Sequence, residues 1–445
     1  RAHVRIEGKA VPPLFQLCVD FLVLHFEFVE RLGDVDNSIR TAIANQLIAQ
    51  QKMNETSFRA IAEDGIEALE LVDCSGIPKD ELSTRLAHLF PAGLRYLVLE
   101  QLGRCMGPKT VQTIVQAAPT SSLFALAIAG AYLLKDDDAA SLIQAISKTL
   151  SSLELRACPR LGIQVCKTLS NSFGNNHNNH LLEMALEDLS LDHDALQALV
   201  AKPAAFQNLK NLSLRRIEGL TDDIVTQVLQ MAGDRLEGLD LTEHYGLTDA
   251  SLSSIRQYSV NLRSLSLAKL KHLTETGLEA LFTFVENMTA PPMLRHVDLA
   301  DCDHQAVTDQ VLRLITEGAT KRPVVGQGAL QQQPHQPHPI STTQLGGLTH
   351  LNIQGASLIT DTAMESIAAT CACFLQEMNV SFCTRISDQG LGYLVDPCAA
   401  QLTRIHVYGN AQLTEEFVDG NRRATDPTFE ITGVWMKKSS DRTQR

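Results

Sequence analysis

A six-residue pattern, apolar-x-x-apolar-x-apolar, recurs through most of this chain and limits what it can fold into. In each copy the last positions alternate between apolar and polar residues, which predicts a short strand with one buried side. Units that repeat at such a period cannot bury their apolar faces alone, so neighbouring units must stack into a continuous core. The copies begin at Ile66, Leu94, Leu123, Leu150, Leu186, Leu209, Leu236, Leu262, Leu294, Leu348, Leu375 and Leu402.

A hydroxyl residue and an acidic residue follow most of these strands as a pair. The hydroxyl can cap the free N–H groups of a following helix, and the carboxylate suits the positive end of the helix dipole. Apolar residues then recur at steps of three and four, so each unit is predicted to run strand, turn, helix. The pairs are Thr221-Asp222, Thr248-Asp249, Thr274-Glu275, Thr308-Asp309, Thr360-Asp361, Ser387-Asp388 and Thr414-Glu415.

The composition agrees with a repetitive aliphatic core and argues against broad contact with nucleic acid. Leucine occurs 63 times, against 22 aromatic residues, and the formal net charge is −13. Binding to phosphates needs a local excess of Lys and Arg. Direct damaged-DNA binding therefore remains a weak alternative, carried by basic residues near the C-terminus: Arg422, Arg423, Lys437, Lys438, Arg442 and Arg445. Without an apolar leader or a long apolar run, the chain is predicted to be soluble and intracellular, with no membrane contact.

The segments outside the repeats divide the chain further. Residues 1–65 carry no strand pattern but contain three helical patterns, at 14–32, 39–51 and 55–64. The repeat domain is predicted over 66–435, with a Gln-, Pro- and His-rich insertion at 321–344 that cannot pack a core. Residues 436–445 form a basic tail. Phe429 and Ile431 are candidates for a closing strand over the last repeat.

A Cys or Asn stands a few residues after several strands, at Cys74, Cys158, Cys302, Cys383 and Asn410. This unit resembles the cysteine-containing leucine-rich repeat known from F-box receptor proteins. The resemblance implies an α/β solenoid, a horseshoe of about twelve strand-turn-helix repeats, preceded by the short helical module. It also explains most of the cysteines as small buried side chains, so a metal site at Cys371 and Cys373 is not expected.

The first helical pattern contains a motif of its own. Pro13, Leu14, Cys18 and Leu22 match the BC box, the Elongin C-binding helix of ubiquitin-ligase receptors. Leu14, Cys18 and Leu22 are each four residues apart, so they lie on one helical face, as docking into a groove requires. A helical cap that seals the first repeat is an equally good explanation of the motif alone.

The order of these parts resembles one family in particular. A BC-box-like helix, the sequence VERLGDVD at 29–36, a short helix pair and cysteine-type repeats resemble the leucine-rich-repeat subunit of the yeast-type global-genome nucleotide excision repair complex. The resemblance implies an Elongin C-type or Skp1-type adaptor, a cullin, a SWI/SNF-type ATPase and a protein substrate as partners. It also implies a nuclear location.

The strand positions between the leucines are predicted to form a concave partner-binding face. The later repeats offer more hydrogen-bonding and aromatic side chains there than the early ones, which give mainly Ala125, Ala127, Ala129, Ser152 and Ser190. Such side chains concentrate binding energy. The predicted partner-binding residues are His296, Asp298, His350, Asn352, Gln354, Glu377, Asn379, Arg404, His406 and Tyr408.

These features favour a non-catalytic adaptor over an enzyme. No phosphate-binding loop, nucleophile elbow or zinc-binding helix motif is present, so no catalytic, metal or cofactor site is predicted. The leading hypothesis is a substrate-recognition subunit of a cullin-type ubiquitin ligase, acting in nucleotide excision repair. The alternatives are an F-box-like receptor in ubiquitin-dependent protein degradation and a ligase-independent leucine-rich-repeat scaffold.

Overall fold

A computed structural model describes most of the chain, and the chain divides into two compact units, Arg1–Ala205 and Phe206–Arg445. The predicted insertion at 321–344 and the predicted tail at 436–445 lie outside the described residues, as does Cys398. The described residues are 13–118, 122–174, 179–283, 292–320, 347–371, 373–396 and 401–433.

The first unit opens with three helices and a short 3-10 turn. They are α1 (Leu14–Leu24), the turn Phe26–Phe28, α2 (Asn37–Ala49) and α3 (Glu55–Ile61). The prediction of one helix over 14–32 was wrong in its length. The Lys52 ammonium group donates to the carbonyls of Val23 and Leu24, which ends α1 by binding carbonyls left free at its last turn.

Five strands, each followed by a helix, complete the first unit. The strands pair in parallel and in chain order, as expected when each unit returns through a helix. The elements are β1 (Ala68–Leu71), α4 (Lys79–Leu89), β2 (Tyr96–Leu99), α5 (Pro108–Ala117), β3 (Ala125–Ala129), α6 (Asp136–Ile146), β4 (Ser152–Arg156), α7 (Ile163–Gly174), β5 (Glu183–Glu187) and α8 (His193–Leu199).

The second unit contains the remaining eight described strands, also paired in parallel and in chain order. Its elements are β6 (Asn211–Ser213), α9 (Asp222–Ala232), β7 (Gly238–Asp240), α10 (Asp249–Tyr258), β8 (Ser264–Ser266), α11 (Glu275–Phe282), β9 (His296–Asp298), α12 (Asp309–Thr320), β10 (His350–Asn352), α13 (Asp361–Cys371), β11 (Glu377–Asn379), α14 (Asp388–Val395), β12 (Arg404–His406), α15 (Glu415–Gly420) and β13 (Glu430–Thr432). The closing strand anticipated at Phe429 and Ile431 is therefore present as β13, which pairs with β12.

The repeated leucines form the core in both units. In the repeat around β7, Leu236, Leu239 and Leu241 are all buried, and the polar residues between them stay partly exposed. Full burial of one such side chain contributes about 1.5–3 kcal/mol. The alternation seen in the sequence thus becomes a strand with one face in the core.

The fifth repeat differs from its prediction by five residues. The pattern was placed at Leu186, but the strand is built from Leu181, Met184 and Leu186, because Met184 pairs with Leu153 of β4. Ser190 consequently lies after the strand and not on its exposed face. The sequence around 181–191 contains overlapping apolar patterns, and only pairing with β4 selects one register.

In several repeats the residue four positions after the end of the strand contacts the preceding repeat. Cys302 and Cys383 each donate from Sγ to a carbonyl of the preceding repeat, at 3.2 Å, and Asn410 Nδ2 donates to Val380 O at 3.0 Å. In the repeat of β7, His244 Nε2 takes this place against Leu214 O. The small buried cysteines predicted from the repeat pattern are thereby located between neighbouring units.

The hydroxyl-acid pairs have a second role that their sequence did not reveal. The hydroxyls cap their own helices, as predicted; Thr274 Oγ1, for example, accepts from Gly277 N at 3.1 Å. The carboxylate reaches the next repeat as well: Asp361 accepts from the Ser387 N–H at 2.8 Å and from its hydroxyl at 2.5 Å. In the same way, a backbone N–H of the following repeat donates to the carboxylates of Asp222, Asp249, Asp309 and Asp388. These five carboxylates are the aspartate ladder of the second unit.

Candidate functional site

The helix α1 presents an apolar face to solvent. Its inward side is formed by Val19 and Val23, which are buried, while Leu14 is 77% exposed and Phe21 is 67% exposed. Pro13 stands at the position before the first helical residue. Exposed apolar surfaces of this kind are typical of sites where proteins contact a partner.

All three helical positions of the predicted BC box belong to this face. Leu14 and Cys18 are exposed, and Leu22 is partly exposed beside them. Leu17 and Leu24 widen the face at spacings of three and four residues. None of the three BC-box side chains is buried, and α2 of the same module contacts β1.

Polar contacts fix the orientation of α1 against α2. Gln46 Nε2 donates to Asp20 Oδ1 at 2.9 Å, and Gln16 Nε2 donates to the same oxygen at 2.8 Å. Charge-assisted bonds of this type are stronger than neutral ones. The exposed face of α1 is therefore held in one direction by its own module.

A buried ion pair holds the segment that follows α1. The Glu63 carboxylate accepts from the backbone N–H groups of Leu32 and Gly33 and lies 3.8 Å from the Arg40 guanidinium. Arg40 also donates to the carbonyls of Ile61 and Gly33, each at 2.8 Å. Burial lowers the pKa of Arg40, and the Glu63 charge opposes that shift. Losing one partner would leave the other charged and buried, which destabilises strongly.

The ten predicted partner-binding residues all lie on β9 to β12 or directly after a strand. His296 and His350 occupy the same row on neighbouring strands, with ring centroids 4.4 Å apart in an edge-to-face arrangement. His406 Nε2 lies 2.9 Å from Glu377 Oε1, and its Nδ1 lies 2.6 Å from Thr432 Oγ1. A cavity of about 340 Å³ runs along this row of strands. We call this set of ten residues the late strand face.

Several of these residues also have structural work, which the sequence did not separate from binding. Asp298, Asn352 and Asn379 each accept a hydrogen bond from the backbone N–H two residues later, and so close the turn after their strands. Gln354 Nε2 donates to Asp301 at 3.1 Å. Tyr408 is 45% exposed. His296, His350 and Arg404 bear no such turn-closing bond among the described contacts, which makes them stronger binding candidates.

The titratable groups of the late strand face are shifted in different directions. Burial raises the pKa of Asp298. Burial lowers the pKa of His296, and the neighbouring charges of His350 and Arg295 lower it further. The hydrogen bond to His406 lowers the pKa of Glu377. Perturbed groups of this kind often cluster where a protein binds something.

Two arginines beside this face were missed in the sequence. Arg263 and Arg295 directly follow the first leucine of their copies, one position before the first strand residues, Ser264 and His296. Both are exposed and line a second cavity, of about 370 Å³, together with His296 and His350. The sequence does contain a signal for them, because the second position of the six-residue pattern is polar in every late repeat.

The weaker candidates do not form sites in the described part of the chain. Cys371 is buried and Cys373 is exposed, so they do not converge on one ion. No group of three metal-binding side chains occurs among the described residues. Arg423 of the basic C-terminal stretch is buried, donates to Leu402 O at 2.6 Å and binds Asp426, so it is structural. None of the described helices is both long and apolar enough to span a membrane.

Comparison with known proteins supports the resemblance found in the sequence. The chain is similar to DNA repair protein rhp7 of Schizosaccharomyces pombe. The two are 24% identical over 389 residues, which cover 86% of this chain and 61% of rhp7. This chain therefore spans less than two thirds of that relative. No family model matches the chain.

A solved structure shares the fold. A chain in the crystal structure of the Rad7 and Elc1 complex in yeast matches with a TM-score of 0.69 at 19% identity, covering 96% of this chain and 99% of that chain. The predicted α/β leucine-rich-repeat fold, and the predicted resemblance to leucine-rich-repeat repair proteins, are thereby confirmed.

Proposed function

We propose that this protein is the substrate-recognition subunit of a cullin-type ubiquitin ligase that acts in nucleotide excision repair. The observation that carries the proposal is the exposed apolar face of α1, which bears the BC-box residues Leu14, Cys18 and Leu22. Its fold is that of a chain in the Rad7 and Elc1 complex, and its sequence is similar to a DNA repair protein. These similarities support an Elongin C-type adaptor as the occupant of α1.

Docking in this proposal is a hydrophobic event between a preformed helix and a groove. Leu14, Leu17, Cys18 and Phe21 are already exposed and held in place, so binding requires no unfolding of the module. Each large apolar side chain that is fully buried contributes about 1.5–3 kcal/mol before the entropy of association is subtracted. A handful of such anchors suffices for a stable complex.

The repeats hold the substrate in this proposal, and the adaptor links them to the cullin. The late strand face offers histidine, arginine, amide and tyrosine side chains to a protein partner. Ubiquitin transfer is then a matter of proximity, and this chain supplies no catalytic group. A SWI/SNF-type ATPase partner and a nuclear location belong to the same proposal, supported by the similarity to a DNA repair protein.

Capture of a purified Elongin C-type adaptor tests the proposal directly. The tagged chain is compared with a variant carrying Leu14→Ala and Cys18→Asp, which removes one anchor and places a charge in the apolar face. Loss of about 3 kcal/mol, a more than hundredfold weaker complex, is expected from one lost leucine contact and one buried charge. Calorimetry or surface plasmon resonance measures the affinity.

A control variant carries Tyr245→Ala and Phe382→Asp, which alters two exposed aromatic residues far from α1 in the sequence. It is expected to bind the adaptor as the unchanged chain does. Equal binding by the α1 variant would contradict the proposal. Capture of a Skp1-type adaptor instead would favour the F-box-like alternative, and capture of neither would favour a ligase-independent scaffold.

A further inference from the structure

A cationic cradle lies at the amino-terminal side of the strands β8 to β10. It consists of Arg263, Arg295, His296 and His350, which together line the cavity of about 370 Å³. The backbone fixes the two arginines side by side, because Arg295 N donates to Arg263 O at 2.7 Å. Neighbouring strands lie about 4.8 Å apart, so two adjacent side chains can hold one anionic group together.

The charges of the cradle are only partly compensated. Glu237 lines the same cavity, but its oxygens lie 3.4 Å from Lys210 and 4.0 Å from Arg263, so it is shared between two cations. No ion pair to Arg295 is present among the described residues. Burial lowers the pKa of His296, and like-charge repulsion from His350 and Arg295 lowers it further. An incoming anion would relieve that repulsion.

The neutral groups of the cavity suit a peptide. Thr349 and Gln376 line it with hydroxyl and amide groups, and Asn352 and Asn379 continue the polar row in the adjacent cavity. Such groups pair with the backbone of an extended segment. Nucleic acid fits less well, because its regularly spaced phosphates would also meet Glu237, Asp298 and Glu377, whereas a protein segment can place one anionic group in the cradle and neutral groups beside these carboxylates.

We propose that the cradle of Arg263, Arg295, His296 and His350 binds an acidic segment of a protein partner, through a carboxylate or phosphate group on that segment. This inference rests on the proposed use of the late strand face for partner binding, and it names the chemistry of the partner. Glutamate or aspartate side chains and phosphoserine are two sources of the same anionic group.

Binding should tighten as the pH falls. An anion in the cradle favours the protonated form of His296, whose pKa is lowered in the unbound protein, so binding takes up protons. The charged and titratable groups around the His296 ring are Arg295 and Asp298 close to it along the chain, Arg263 from the β8 side, His350 on β10, Glu377 on β11, and Glu237. The arginines oppose protonation of the histidine and the carboxylates favour it. These charges are present before and after binding, so the pH dependence of binding comes from the added anion.

Fluorescence anisotropy with labelled peptides on the full chain tests the inference. The probe is a ten-residue Gly/Ser peptide with four glutamates. One matched peptide has glutamine in place of glutamate, and another has two phosphoserines. The glutamate peptide is expected to bind about tenfold more tightly than the glutamine peptide in low salt, and about fivefold more tightly at pH 6.0 than at pH 8.0. Comparison of the glutamate and phosphoserine peptides identifies the preferred source of the anion.

Variants assign the binding to the cradle. R263Q/R295Q should weaken the glutamate peptide about tenfold, whereas R263K/R295K, which keeps both charges, should retain most of the binding. R313Q/R385Q removes two arginines outside the cradle and should change the affinity less than twofold. An unchanged melting temperature shows that a variant is folded. If R263Q/R295Q does not fold, the single variant R295Q takes its place.

Several results would overturn the inference. These are equal binding of the glutamate and glutamine peptides, equal binding by R263Q/R295Q and the unchanged chain, or no effect of pH. A twenty-nucleotide single strand that binds more tightly than either acidic peptide, and loses affinity in R263Q/R295Q, would assign the cradle to nucleic acid. Adaptor capture by α1 is measured in the same variant and should be unaffected, so failure of the cradle and failure of the adaptor proposal are distinguishable.

Discussion

The two units use the same repeat but link their helices differently. In the second unit the aspartate ladder joins one helix start to the next, and Thr248 N, for example, donates to Asp222 Oδ1 at 3.0 Å. In the first unit only Asp136 does so among the described residues, accepting from Gly162, Gln164 and Val165. In the second unit, each hydroxyl-acid pair therefore links two neighbouring repeats. The repeats of the first unit are held together by apolar contacts and by individual polar bonds instead.

The exposed strand faces of the two units also differ in charge. On β4 of the first unit, Glu154 stands between Ala127 and Ala185 in its row, and Arg156 bonds across β3 to Glu100 at 2.5 Å. On β9 to β12 of the second unit the corresponding positions hold three histidines, two amides and Arg404 beside the carboxylates Asp298 and Glu377. The same framework therefore offers an acidic surface in one unit and a partly cationic surface in the other. Charge on this face is set by residues that the fold leaves free to vary.

The largest expected effect concerns a glycine that the ladder requires. A Cβ on Gly390 of α14 would lie 2.1 Å from Asp361 Oδ1, so the Asp361 carboxylate would be pushed off Ser387. Gly390→Ala should destabilise by about 1–3 kcal/mol through lost bonds and overpacking. A Cβ on Gly392 of the same helix meets nothing within 4 Å, so Gly392→Ala should stabilise by about 0.5–1 kcal/mol. Urea unfolding followed by circular dichroism measures both, and stabilisation by both substitutions would contradict the ladder.

The next effect compares a ladder aspartate with a helix-start aspartate outside the ladder. Asp361→Ala leaves the Ser387 N–H and hydroxyl without their acceptor, and should cost about 1–3 kcal/mol. Asp80→Ala in α4 removes an exposed carboxylate whose ion partner is Lys109 at 3.2 Å, and should change stability by less than about 0.5 kcal/mol. The same urea titration applies. Similar losses for both would show that the ladder adds nothing beyond the helix dipole.

The ladder also explains why the sequence predicted the second unit better than the first. Where Thr or Ser precedes an acidic residue, the helix start is marked twice, and the copies at Leu209, Leu236, Leu262, Leu348 and Leu375 were located correctly. In the first unit the marker is missing. The copies at Ile66, Leu94, Leu123 and Leu150 were still located correctly, but overlapping apolar patterns around β5 left the register of that strand to pairing with β4. A local pattern fixes a strand only when one register buries its apolar side chains.

The candidate sites show the same limit. The motif at Pro13, Leu14, Cys18 and Leu22 was identifiable from spacing, but its exposure depends on which side of α1 packs on α2. The repeat pattern was enough to predict which residues lie on the late strand face. It could not predict that Asp298, Asn352 and Asn379 close the turns after their strands, because those bonds depend on the backbone conformation there. Arg263 and Arg295 occupy a position that is polar in every late repeat, but only the structure places them beside two histidines in edge-to-face contact.

The smallest expected effect compares one carboxyl group from each strand face. Burial raises the pKa of Glu154 above its ordinary value of 4.5, despite Arg156, and Glu187 and Glu100 add to the shift. Its contribution to stability is therefore present below pH 4.5 and is lost as the pH rises through its folded pKa. For Glu377, whose pKa the hydrogen bond to His406 lowers, the contribution is present above pH 4.5 and is lost as the pH falls through its folded pKa.

These opposite signs give a paired measurement. At pH 7.5, Glu154→Gln should raise the melting temperature and Glu377→Gln should lower it, each by about 1–2 °C, and both differences should shrink toward pH 4. The changes are small because both side chains are about one third exposed, at 37% and 35%, so water screens their charges. Differential scanning calorimetry across this pH range resolves them. Changes of the same sign would mean that the two strand faces do not differ electrostatically in solution, and that the acidic face of the first unit is as well compensated as the histidine-bearing face of the second.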